Sequence, residues 1–295
     1  MKVIAIQRNF KTYLPEIYAY RKYFREYKII EYCNEHELEN ESVDLIWKFM
    51  GIDVHKRNIP TVHEYVSLSV GHFAAIKDAV KKYINIQPSL RIFQNDEIKK
   101  KYSFNDRVPY CYRNMGIDDI FFCPNHVRKE YDFVYVGSME ANRRIDRLLN
   151  FFVLHPHLSI LMIGNPSDEV FYHYRSYANI KFTGKLPYYD VPKVAMTAEY
   201  AINYIPDIYP FNMQTSTKLL EYAAMGMKIV TTDYYWVNQF EKERNMKFFH
   251  INEECSNLTL EKLRNFNFRT CNLQDLRWEN ILTNSKIKEQ LKQLL

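Results

Sequence analysis

A chain of 295 residues with 47% apolar and 25% charged side chains has globular composition, and it is long enough for two α/β domains of ordinary size. Its net charge of +5 is too modest for a nucleic-acid binder and favours an anionic ligand or a membrane surface. Cys33, Cys111, Cys123, Cys255 and Cys271 form no C-x-x-C pair, so they indicate reduced thiols rather than a zinc or redox motif.

The N-terminal apolar run in MKVIAIQRNF is too short for a signal peptide, and no stretch approaches a membrane span, which predicts a cytoplasmic protein. Strands are expected at 3–6, 45–50, 61–65 and 90–94, with helices at 15–27, 74–83 and 97–102. The segment 110–122 and a polar stretch at 123–130 follow, and the domain boundary is expected between 124 and 125. Beyond it, DFVYVG, LSILMIG and IKFTG read as buried strands closed by Gly137, Gly164 and Gly184. Helical patterns at 143–152 and 170–177 lie between them. Further strands are expected at 201–204 and 228–232, and a helix at 275–294. Such alternation predicts parallel sheets flanked by helices.

The richest stretch is NMQTSTKLLEYAAMGMKIVTTD at 212–233. Ser216 or Thr217 can cap a helix there, because a hydroxyl oxygen accepts from the unpaired N–H groups of the first turn. Lys218 then stands inside the positive end of a helix dipole, where phosphate binds readily. Glu221 falls one turn further on the same edge. Gly226 ends the helix, KIVTT reads as a buried parallel strand, and Asp233 lies at that strand's carboxyl end. Phosphate donors and a carboxylate on one helix point to a nucleoside diphosphate carrying a sugar.

Three local patterns resemble GT-B glycosyltransferases of the retaining family-4-like group. Residues 113–118, RNMGID, look like the turn that ends that family's acceptor domain. Residues 133–138, followed by Asn142, Arg143 and Arg144, look like its first donor-domain strand and basic phosphate segment. Residues 215–233 look like its donor helix, whose terminal Glu holds the ribose. The resemblance implies an α/β GT-B architecture of two Rossmann-like domains facing across a cleft, here 1–124 and 125–295. It implies transfer of a sugar from a nucleotide diphosphate-sugar, a UDP-sugar above all, to a hydroxyl of a cell-surface polysaccharide or a lipid-linked glycan. The alternatives are a nucleotide-sugar epimerase and a catalytically silent binding subunit. Two departures stand out: position 213, where the family has a first glutamate, is Met, with Asn212 beside it as a substitute. The glycine-rich first loop is replaced by Gln7-Arg8-Asn9-Phe10-Lys11.

The resemblance assigns Glu221 to the ribose, Lys218 with the N–H groups at 216–218 to the diphosphate, and Arg143 or Arg144 to phosphate. Adjacent helical residues point about 100° apart, so one of the two arginines is expected to face the ligand, Arg143 by preference. His63 and Glu64 end a strand at the expected cleft. His63 is assigned to the donor sugar, and Glu64 or Glu16 to a catalytic base. Lys185 and Tyr188 resemble the nucleobase loop. The chain has no D-x-D and His155-Pro156-His157 reads as a loop, so no metal or other cofactor is expected. Lys22, Arg25 and Lys28, close to Tyr18, Tyr20, Tyr23 and Phe24, suggest a basic aromatic face for the inner side of a membrane. The plainer reading is a solvated helix with its aromatic side packed.

Overall fold

The computed structural model describes residues 1–8, 14–69, 73–122 and 127–295, in two compact units: Met1–Gly116 with Asp275–Leu295, and Ile117–Gln274. The boundary expected between 124 and 125, Cys123, and positions 9–11 of the first loop lie outside the described residues.

The first unit is built on parallel strands β1 (Lys2–Gln7), β2 (Tyr27–Tyr32), β3 (Leu45–Phe49), β4 (Thr61–Tyr65), β5 (Leu90–Phe93) and β6 (Tyr110–Tyr112). They lie in the order β2-β1-β3-β4-β5-β6. Helices α1 (Pro15–Tyr23), α2 (Ala74–Ile84) and α3 (Asp96–Tyr102) connect them. The helix expected over 15–27 therefore stops early, and β2 was not anticipated. Its residues alternate: Tyr27 and Ile29 pack with one core cluster, Ile30 and Tyr32 with another. That is the period of a strand, not of a helix.

Each edge of the second unit's sheet is reached from its middle. Its strands are β7 (Tyr131–Val136), β8 (Ile160–Ile163), β9 (Ile180–Gly184), β10 (Ala198–Asn203), β11 (Lys228–Thr232) and β12 (Phe249–Ile251). The order is β12-β11-β10-β7-β8-β9, all parallel. The chain winds outward from β7 to β9, then returns to lay β10 against the other side of β7. That reversal makes a topological switch point at the carboxyl ends of β7 and β10, where open α/β sheets bind ligands. Helices α4 (Ile145–Leu154), α5 (Asp168–Tyr174), α6 (Val191–Ala195), α7 (Thr217–Ala224), α8 (Tyr235–Arg244) and α9 (Leu260–Asn265) complete the unit.

The C-terminal segment, expected as one helix of the second domain, belongs to the first unit and is two helices, α10 (Trp278–Asn284) and α11 (Ile287–Leu294). Trp278, Leu282, Ile287 and Leu291 are buried with Ile4, Trp47, Val62 and Leu90 over one face of the first sheet. Gly116 admits this packing, since a Cβ there would run into the Trp278 ring.

On that apolar face Glu64 is fully buried, which demands partners. It has them: Tyr20 Oη donates at 2.9 Å, Trp47 Nε1 at 2.8 Å and Arg113 Nε at 2.8 Å, and Arg113 Nη2 makes a further contact. Arg113 also reaches Glu16 at 3.3 Å and lies over the Trp278 ring, 5.4 Å from its centroid. Removing one partner of a buried ion pair typically costs about 3–5 kcal/mol. Arg113→Ala strands two buried carboxylates, so denaturant unfolding followed by tryptophan fluorescence should show a loss of about 3–5 kcal/mol. A loss below about 1 kcal/mol would show that the pair is not what holds this face together.

Candidate functional site

Helix α7 begins where β10 and β11 end, and the sequence ties it there. Ser216 Oγ donates to Asn203 Oδ1 at 2.7 Å and accepts from Leu219 N at 3.4 Å, so Ser216 is the cap. Asn203 Nδ2 in turn donates to Thr231 Oγ1 and Tyr234 Oη, both at 2.9 Å. One turn on, Tyr222 Oη accepts from Val136 N, the last amide of β7, at 2.7 Å. The first turn of α7 is thus pinned over the switch point, and its leading N–H groups lack intrahelical partners.

Two cations converge on that turn. Lys218 Nζ sits 3.9 Å from the centroid of the Tyr135 ring, at the end of β7. It also lies beside Gly137, where a Cβ would come 3.3 Å from Nζ. Gly137 takes φ +139°, and Gly164 of the next strand end packs so closely that a Cβ would strike the Gly137 carbonyl. Arg143 lies over Phe211, 4.3 Å from its centroid, and is close enough to repel the Lys218 charge. Among the described residues neither cation is ion-paired with a carboxylate. Burial and then Arg143 hold the Lys218 ammonium well below its usual range, with Glu221 opposing only in part. Two neighbouring cations without a carboxylate give this turn a positive potential that favours an anion.

Glu221 is 8% exposed and, among the described residues, has no hydrogen bond or ion pair. Burial, reinforced by the neighbouring Asp118 carboxylate, pushes its pKa up to about 8 against the pull of Lys218. A buried acid without a partner is costly, and such groups concentrate at functional sites. Phe121, in the turn after Asp118, packs edge-on against Tyr188 at 5.6 Å.

The other expected residues divide. Of the arginine pair, Arg144 is bound to Glu253 at 2.8 Å, which leaves Arg143 as the one beside Lys218. Thr217 opens α7, half-buried. Asn212 Nδ2 donates to Asp207 at 2.8 Å, while its Oδ1 is buried without a partner. Tyr188 is half-buried beside Phe121, and Lys185 is exposed. His155 Nδ1 bonds the Phe151 carbonyl at 2.7 Å. Among the described residues no cluster of three or more His, Cys, Asp and Glu side chains is arranged to hold a metal.

His63 and Glu64 require correction. Both were expected to line an open cleft, and both are fully buried, on opposite faces of β4. Glu64 cannot serve as a free base, because its oxygens already accept from Tyr20, Trp47 and Arg113. His63 Nε2 lies 3.0 Å from Asp53 Oδ2, and Asp53 also binds Lys48 and Arg57, at 3.0 and 2.9 Å. Burial lowers the His63 pKa, with Asp53 opposing only in part. Glu16 is likewise buried, and burial raises its pKa. Tyr135, Phe211 and Asp118 join the site without having been singled out as ligand contacts. The first unit has a cavity of its own, about 530 Å³, at the carboxyl ends of β1, β3 and β4, lined by Gln7, Cys33, Phe49, Met50, Tyr65 and Ser67.

No family model and no curated protein matches the sequence. Solved structures match along its whole length. HepE of Anabaena, in complex with UDP and glucose, superposes with a TM-score of 0.68 at 12% identity, over 100% of both chains. Sucrose-phosphate synthase of Thermosynechococcus elongatus does so with a TM-score of 0.63 at 12% identity, over 100% of this chain and 95% of that one. A glycosyltransferase of Rickettsia africae gives 0.56 at 12%, over 99% and 96%. The likeness is one of fold: the two six-stranded Rossmann-like units are those of the GT-B fold.

The raised pKa of Glu221 has a measurable sign. A folded-state pKa above the unfolded value means the folded chain binds the proton more tightly. Stability therefore falls as pH rises from 4.5 to about 8, then levels. Glu221→Gln, which mimics the protonated acid, should remove this slope of up to about 1.4 kcal/mol per pH unit. Its melting temperature should gain on the wild type progressively across that range. A gain that does not change with pH would contradict the assignment.

Proposed function

We propose that this chain is a glycosyltransferase that moves a sugar from a nucleotide diphosphate-sugar, a UDP-sugar, to a hydroxyl of a cell-surface polysaccharide or lipid-linked glycan. The observation that carries the reading is the pairing of Lys218 and the acid Glu221 on one helix at the switch point, with Arg143 brought beside them from the turn before α4, neither cation ion-paired with a carboxylate and Glu221 without a hydrogen bond or ion pair among the described residues. The diphosphate lies at the N–H groups of Thr217 and Lys218, with Lys218 and Arg143 as its counter-charges. Glu221 accepts from the ribose hydroxyls, and Tyr188 borders the base. The UDP bound by HepE supports uridine as the nucleoside.

Bond cleavage at the sugar's anomeric carbon throws negative charge onto the leaving diphosphate. Preorganised cations and helix N–H groups stabilise that charge without waiting for solvent to rearrange. The same groups make a divalent cation unnecessary. With Glu64 occupied, the base at hand for the acceptor's proton is the leaving diphosphate oxygen itself. It lies on the face from which the donor departs, so attack from that face retains the anomeric configuration. Asn212, with its unpartnered Oδ1, receives a hydroxyl of the donor sugar.

UDP should bind in excess chelator by calorimetry, and Lys218→Ala and Arg143→Ala should each weaken it by ~10- to 150-fold, the worth of one charged hydrogen bond. Uridine should bind all three proteins alike. Binding that disappears with chelator and returns with magnesium would overturn the metal-free mechanism, and unchanged UDP affinity in both variants would overturn the phosphate site. Scoring free nucleotide from a panel of nucleotide-sugars, with and without acceptor, separates a transferase from an epimerase or a silent subunit.

A further inference from the structure

The turn RNMGID at 113–118 gives two of its residues to packing, Arg113 to Glu64 and Gly116 to the Trp278 ring. Its last residue has no such role. Asp118 is 9% exposed, its Oδ1 accepts from Ile120 N at 3.1 Å, and among the described residues no cation is paired with it. The short turn Asp119–Phe122 that follows packs on α7, which brings the Asp118 carboxylate near Glu221, itself buried and without a hydrogen bond. Folding gives no reason for a second buried acid there, because like charges at close range disfavour each other's ionised form.

The groups that face Glu221 can be named. Lys218, one turn back on α7, attracts its anion, and Asp118 repels it. Arg143 acts on Lys218 in turn. The strands packed on α7, β10 and β11, offer Asn203 and Thr231, which do not titrate, and the turn at 119–122 offers Asp118 with Asp119 next to it. Burial holds the Tyr135 and Tyr222 hydroxyls well above their ordinary range, so both stay neutral. Burial and Asp118 together outweigh Lys218, and Glu221 keeps its proton up to about pH 8.

We propose that Asp118 is a positioning residue whose charge keeps Glu221 protonated in the empty site, so that a ribose binds with release of that proton to solvent. A neutral carboxyl spends one oxygen on its own hydrogen. The carboxylate accepts from two hydroxyls at once, in stronger charge-assisted bonds. Ribose hydroxyls therefore favour the anion: the carboxyl O–H bond breaks and the proton passes to the buffer. Nucleoside affinity then rises with pH up to about 8 and is flat beyond it. The inference rests on the nucleotide reading of α7.

Calorimetric titration with uridine tests it, since uridine brings a ribose but no phosphate to engage Lys218 and Arg143. From pH 6.5 to 8.5, wild-type affinity should rise by up to about tenfold per pH unit below 8 and then level. Buffers of different ionisation enthalpy should show about one proton released at pH 7. Asp118→Asn should bind uridine about two- to fivefold more tightly than the wild type at pH 7 and release less of the proton, with the two proteins converging above pH 8. Asp118→Glu, which keeps the charge, should keep the wild-type profile. An Asp118 that only shapes the turn would give an Asn variant weakened equally at every pH, which would overturn the proposal. UDP is the control for the site itself. If UDP binds while wild-type uridine affinity ignores pH, the coupling is wrong and the nucleotide site stands. If UDP does not bind, both fall.

Discussion

The hydrogen bond from Ser216 to Asn203 decides where the first turn of α7 stands. Ser216 is at once the cap of the helix and the tie to β10, so the free N–H groups of that turn have a fixed place over the sheet. The Tyr222 bond to the last amide of β7 closes the other side. Between those ties Lys218 lies along Tyr135, and Glu221 stands near enough to Asp118 to feel its charge. Local capping chemistry and sheet order together make the site.

Two buried groups of charges in this protein show what separates structure from function. Around Glu64, donors surround the carboxylate: Tyr20, Trp47 and Arg113 all point at it, and the arrangement stabilises a sheet face. Around Lys218 and Glu221, two neighbouring cations rest on aromatic rings without a carboxylate to pair with, and a buried acid is pushed toward its neutral form, which raises the free energy of the unliganded protein. Folding alone gives no reason to retain such an arrangement. A ligand with opposite charge at one end and hydroxyl donors at the other relieves both costs.

Much of this was legible in the sequence, and the failures have physical causes. The β7–β9 strands were readable because continuous apolar runs ending in Gly137, Gly164 and Gly184 suit buried parallel strands. The α7 site was readable because a cap, a lysine and a glutamate fall within two turns. His63 and Glu64 misled because a polar pair on a strand reads the same whether it lines a cavity or is buried. Only Asp53 and Arg113, far away in sequence, show which. The choice between Arg143 and Arg144 likewise turned on Glu253. The short strand β2 was hidden by a preceding helix whose aromatic pattern ran on through Phe24. The terminal helices were assigned to the wrong unit because an apolar helical face does not say which sheet it covers.

The central claim is that Glu221 grips a ribose, and replacing it tests that most directly. Glu221→Ala should weaken UDP binding by roughly 30- to 150-fold, the net worth of ~2–3 kcal/mol expected when two hydroxyls lose a charged acceptor and water replaces it in part. It should hardly change the binding of 2′,3′-dideoxy-UDP, which the wild type should already hold weakly. Equal UDP affinity in wild type and Glu221→Ala would mean that α7 is not a nucleotide site, leaving only a likeness of fold.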